Sequence, residues 1–95
     1  MLLAHGSDGV SGHHRRWAIN VRDWGYNAVI IDHYTLRGIK RHTGVFLTGV
    51  MGHDRALDMI GVASWVKSQS WHQGKIAVIG FSQGGGGVLA LMDNL

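Results

Sequence analysis

The sequence predicts an α/β fold: a partial three-layer sandwich with three parallel strands and helices packed on both faces. Three observations predict it. Short apolar runs alternate with amphipathic stretches along the 95 residues, the pattern of β-α-β units. The first and last runs lead into glycine-bearing turns, and the last turn holds a serine between glycines with an apolar helix behind it. No repeat or linker divides the chain, so residues 1–95 read as one domain.

The first strand is expected at about 1–5, where Leu2-Leu3-Ala4 runs into the turn His5-Gly6-Ser7-Asp8-Gly9. Ser11 suits the cap of a helix over about 13–24, with Trp17, Val21 and Trp24 on one face and Gly25 as its stop. Ala28-Val29-Ile30-Ile31 is a β-branched run suited to a strand covered on both sides, at about 28–32. From Asp32 to Gly52 the pattern is irregular, with only Val45-Phe46-Leu47 apolar, and a loop with one turn of helix is expected. Asp54 can cap a helix over about 55–70, with Leu57, Ile60 and Ser64 on one line and Met59, Val62, Ala63 and Val66 beside it. A third strand at about 76–80 leads through a sharp turn into a helix containing Val88-Leu89-Ala90-Leu91.

Composition removes several classes of chemistry. There is no Cys, so disulfides, thiolate metal sites and cysteine nucleophiles are excluded. With 45% hydrophobic and 16% charged residues the chain is globular in composition, and no apolar run approaches the roughly 18 residues of a spanning helix. A net charge of +3 specifies no anionic partner. The basic stretches His13-His14-Arg15-Arg16 and Arg37-Gly38-Ile39-Lys40-Arg41-His42 read as a solvated helix start and a solvated loop, with no nucleic-acid motif. Seven scattered histidines show no zinc spacing, and neither metal nor cofactor is expected. Met1-Leu2-Leu3-Ala4 is far short of a signal peptide's apolar region, which favours the cytoplasm.

The chemistry concentrates in Gly80-Phe81-Ser82-Gln83-Gly84, directly after the third strand. A G-x-S-x-G between strand and helix holds a serine on a strained turn with its hydroxyl projecting from the sheet's carboxyl edge. The helix behind it favours negative charge at that position. Ser82 is therefore the candidate nucleophile. If the first and third strands are neighbours, the turn after the first approaches Ser82 from the other side. An oxyanion hole would then combine the amides of Gln83 and Ser7.

In these segments the chain resembles the α/β-hydrolase superfamily, and within it the dienelactone hydrolase-like branch. Leu2-Leu3-Ala4-His5-Gly6 looks like the strand and oxyanion turn, and Trp24 to Asp32 like the next helix end and strand. Tyr34-Thr35-Leu36-Arg37-Gly38 is similar to the Arg-Gly loop of these proteins, Arg55 and Asp58 match an Arg-x-x-Asp, and Ile79 to Gly85 match the nucleophile elbow. The resemblance implies a serine hydrolase of carboxylic esters, lactones or thioesters that works through an acyl-enzyme.

In such enzymes an acid and then a histidine follow the nucleophile. Here Asp93 follows on the helix behind the elbow, and His5, His13, His14, His33, His42, His53 and His72 all precede Ser82. His5 and His33, at the carboxyl ends of strands, read as loop or supporting residues. The resemblance thus implies the amino-terminal portion of a hydrolase domain, with acid and base missing. The alternative is an inactive or split hydrolase module that acts by association through its exposed sheet edges. Gly80-x-x-x-Gly84-x-Gly86 also fits a dinucleotide fingerprint, but an acidic ribose ligand about 20 residues later is lacking.

Overall fold

The computed structural model of the chain describes residues 1–39, 50 and 52–93. The three apolar runs form a parallel sheet of short strands, β1 (Leu2–Ala4), β2 (Val29–Ile31) and β3 (Val78–Gly80), in the order β2-β1-β3. Leu2, Leu3 and Ala4 pair with Val29, Ile30 and Ile31 on one side and with Val78, Ile79 and Gly80 on the other. The central position explains why all three β1 residues are buried while those of β3 are only partly buried. Each strand is three residues long, shorter than the span of about five residues expected for it.

Helix α1 (Gly12–Asp23) joins β1 to β2, α2 (Gly52–Lys67) precedes β3, and α3 (Gln83–Asp93) follows it. Ser11 is the N-cap of α1, as expected. Its backbone N–H donates to His14 Nδ1 at 3.0 Å, so a buried histidine takes the place of the Glu or Gln of a capping box. That contact removes His14 from the solvated helix start read from the sequence. Gly25 closes the helix at φ 97, a left-handed position suited to glycine. Val21 is buried, but Trp24 is 59% exposed: as the C-cap it lies past the sheet and packs its ring edgewise on Trp17.

Helix α2 starts before Asp54, which therefore lies in the first turn with its charge on the favourable end of the helix dipole. The helix ends at Lys67, earlier than predicted, as Ser68 and Gln69 N–H bond the carbonyls three residues back and the Ser68 hydroxyl bonds the Trp65 carbonyl. Ala56, Met59 and Val66 face inward, with Val62 and Ala63 partly buried beside them, while Leu57 and Ile60 are half-exposed. The rotation is set by α3, because a Cβ on Gly87 would meet Arg55 Cβ at 2.7 Å and Met59 Cε at 3.0 Å. In the irregular stretch the described residues include a 3₁₀ turn, Thr35–Arg37, and Val45-Phe46-Leu47 lies outside the described residues.

Strand order locates the functional edge. From β1 the chain moves out to β2, and then returns past β1 to β3, so right-handed crossovers place α1 and α2 on opposite faces. Leu2, Ala4 and Ile31 pack with Met59 and Val66 on one face, and Leu3 is buried on the other. Helix α3 packs on α2, so the connections leaving β1 and β3 diverge to opposite faces and open a crevice at the carboxyl ends of these neighbours. Among the described residues no helix is long and apolar enough to cross a membrane.

The turn after β3 leaves no room at Gly84, where a Cβ would stand 2.8 Å from the Ala4 carbonyl carbon and 2.7 Å from the His5 oxygen. Gly86 has nothing within 4 Å of that position. Gly84→Ala is expected to cost about 2 kcal/mol or more by overpacking against backbone, and Gly86→Ala to gain about 1 kcal/mol through helix propensity. Urea unfolding midpoints of the two variants check this, and a stabilised Gly84→Ala would contradict it.

Candidate active site

Ser82 occupies the turn between the end of β3 and the start of α3 with φ 53. It is the sole non-glycine residue with positive φ among the described residues. A left-handed conformation costs an L-residue about 1–2 kcal/mol, so the surrounding contacts must impose it. They are visible: Gly84 N–H bonds the Phe81 carbonyl at 2.8 Å, Gly85 N–H bonds the Ser82 carbonyl at 2.9 Å, and Phe81 N–H continues the ladder to Ala4 at 2.9 Å. Gly80 admits the turn, since a Cβ there would lie 2.6 Å from Gly85 Cα. Phe81 is held by edgewise contacts with His13 and His14 of α1, at centroid distances of 4.9 and 5.1 Å.

The turn after β1 comes directly against this serine. A Cβ on Gly6 would be 3.3 Å from both Ser82 Cβ and the Phe81 oxygen, and 3.9 Å from Ser82 Oγ. Glycine is the residue that permits this approach. Ser7 follows Gly6 on the same turn, and Gln83 opens α3 directly after Ser82, so both are chain neighbours of the residues in this contact.

A buried cation ties the two turns together. Arg55 of α2 is fully buried, and its guanidinium donates to the carbonyls of Val50, His5 and Gly6, to the Tyr34 hydroxyl and to Gln83 Oε1. Burial lowers its pKa, but a guanidinium stays charged in proteins, so the charge rests on five oxygen acceptors. Tyr34, also buried, donates its hydroxyl to the Ser7 carbonyl at 2.8 Å. It is placed by Asp32, whose carboxylate accepts the N–H groups of Tyr34 and Thr35 at 2.9 and 3.0 Å.

The two histidines at the sheet edge are both engaged. His5 Nδ1 is 2.7 Å from the Gly6 carbonyl, and its Nε2 accepts the His33 N–H at 2.9 Å, so the ring is neutral with its proton on Nδ1. His33 gives its Nδ1 proton to Asp58 at 2.6 Å, and its Nε2 is buried without a partner among the described residues. Arg37 completes the cluster with two bonds to Asp58, at 2.7 and 3.1 Å, and one to the His33 carbonyl. The solvated loop read from the sequence is thus anchored at Arg37.

Comparison with protein-family models matches residues 5–94 to X-Pro dipeptidyl-peptidase (S15 family). The chain belongs to this S15 family. It is a family of serine peptidases with the α/β-hydrolase fold, in the superfamily that the sequence resembles, and the match does not extend to the dienelactone hydrolase-like branch. Neither the curated proteins nor the solved structures compared with the chain include a match.

In this S15 chain the sequence marks Ser82, Ser7 and Gln83 as candidates, and the structure adds the internal frame of Arg55, Tyr34, Asp58 and the Gln83 side chain, for which the sequence assigns no role. The available signal was an arginine among apolar helix positions, with Ala56 and Met59 turning inward beside it. Among the described residues no group of three or more His, Asp or Glu side chains could hold a metal ion.

Acid should weaken the fold in two stages. Burial foremost lowers His5, His14 and His33 from their ordinary 6.5. For Asp58 burial acts upward, but hydrogen bonds from Arg37 and then His33 outweigh it and hold the carboxyl below 3.8. In both cases the unfolded chain binds more protons, so stability is full above the unfolded pKa and falls as pH drops through the folded one. Urea midpoints should decline once the pH passes below about 6.5 and decline again below about 3.8. A flat profile from pH 7 to 5 would contradict the neutral, buried state of these rings.

Proposed function

We propose that this chain carries the nucleophile and oxyanion site of a serine hydrolase. The observation that carries the reading is Ser82 at φ 53 on the strand-to-helix turn, in contact range of the Gly6 turn. Ser82 Oγ attacks an acyl carbonyl and forms the new C–O bond as its proton passes to a base. The carbonyl oxygen becomes an oxyanion that the Ser7 and Gln83 amides stabilise, helped by the α3 dipole and the Arg55 charge behind them. Collapse expels the leaving group with a proton and leaves an acyl-enzyme, which water hydrolyses. The chemistry calls for no cofactor.

The substrate class is a carbonyl compound with a departing alcohol, thiol or amine. The resemblance to dienelactone hydrolase-like proteins favours an ester, lactone or thioester, and the S15 description adds the X-Pro peptide bond. We propose that neither histidine at the sheet edge is the general base. His5 has both ring nitrogens engaged, and His33 lies beyond β1, about 10 Å from β3 at two strand spacings, outside direct proton-transfer reach of Ser82.

A fluorophosphonate probe tests the nucleophile. With imidazole supplied in solution as the base, the folded chain should be labelled on the peptide carrying Ser82, and Ser82→Ala should lose the label. No labelling at any probe concentration would overturn this reading. It would favour the second one, an inactive hydrolase unit that self-associates through the β2 and β3 edges.

A further inference from the structure

Three consecutive carbonyls of the turn after β1 are held by buried side chains. The His5 oxygen accepts from Arg55, the Gly6 oxygen from His5 Nδ1 at 2.7 Å, Arg55 at 3.3 Å and the Gly9 N–H at 3.3 Å, and the Ser7 oxygen from Tyr34 at 2.8 Å. A trans peptide is planar with its C=O and N–H in opposite directions, so a group that grips the Gly6 oxygen also aims the Ser7 N–H. Of the two side chains on that oxygen, His5 makes the shorter bond. It is available as a donor only in the Nδ1–H form, which the His33 N–H enforces by occupying Nε2 at 2.9 Å. An imidazole with its proton on Nε2 would set donor against donor at His33 and acceptor against acceptor at Gly6.

The geometry points to His5 as a positioning residue for the oxyanion site: its Nδ1–H fixes the Gly6–Ser7 peptide so that the Ser7 amide faces the crevice beside Ser82. This inference rests on the proposed serine chemistry and assigns it a residue that touches no reacting atom. Its role is specific to one ring nitrogen. Asn carries an amide N–H where His carries Nδ1, whereas Gln places its amide where Nε2 stands.

Phosphonylation of Ser82 develops negative charge on the phosphoryl oxygen, so the maximal labelling rate reports the oxyanion site and the half-saturating concentration reports probe binding. Loss of one oxyanion donor costs about 100-fold or more in rate. Misorientation in His5→Leu should therefore slow maximal labelling by about tenfold or more with half-saturation unchanged. His5→Asn should stay within about threefold of wild type, and His5→Gln should be as slow as His5→Leu. Should His5→Leu fail to fold, the Asn and Gln variants decide alone. Equal rates for Asn and Gln, or a loss seen only in half-saturation, would overturn the inference while leaving Ser82 as nucleophile. An unlabelled wild-type chain would overturn the serine reading and this inference with it.

Discussion

The Arg55 guanidinium is a charge inside the protein held, among the described residues, by uncharged oxygen acceptors, and the functional edge is built around satisfying it. An isolated buried charge costs several kcal/mol, while hydrogen bonds to a charged donor return about 1.5–3 kcal/mol each. The offsetting acceptors are carbonyls of the turn after β1, the Tyr34 hydroxyl and the Gln83 side chain at the start of α3. The same bonds therefore solvate the Arg55 charge and join two turns whose bonded residues, Gly6 and Gln83, are 77 apart in sequence. Tyr34 extends the frame to Ser7, and Asp32 holds Tyr34.

Close packing complements this polar frame. Gly84 abuts the β1 backbone, Gly80 the start of α3, and Gly87 the stem of Arg55. These contacts leave Ser82 one backbone conformation, with positive φ, and its strain is carried by the ladder bond from Phe81 to Ala4 and by the helix behind it. On the α2 side the aliphatic stem of Arg55 lies against Gly87 while its head reaches the turns, so helix packing and turn orientation depend on one side chain.

Much of this was legible in the sequence. The β-branched run at Val29–Ile31, the Ser11 cap, the Gly25 stop and the serine elbow are local signals, and each appears where local physics places it. The adjacency of β1 and β3 was a condition of the reading, and the observed pairing meets it. Less legible was whatever depends on contacts across the fold. Leu57 and Ile60 satisfy a helical stripe as well as Met59 and Val66 do, and the choice between them is made by Gly87 of another helix. Arg37 reads as one more surface cation until Asp58 is brought beside it, and His14 as solvated until Ser11 turns back onto its ring. Arg55 is the extreme case, since its acceptors are mostly main-chain oxygens, which leave no pattern in side chains.

The central claim is that Arg55 holds both turns in one unit. Amide hydrogen exchange of the folded chain with Arg55→Lys measures it most directly, because a lysine keeps the charge but cannot span the separate acceptors. The account predicts that exchange quickens together at residues 6–9 and 84–85, while the end of α1 near Trp24 and Gly25 stays as in wild type. Acceleration confined to one turn, or spread evenly over the chain, would contradict it.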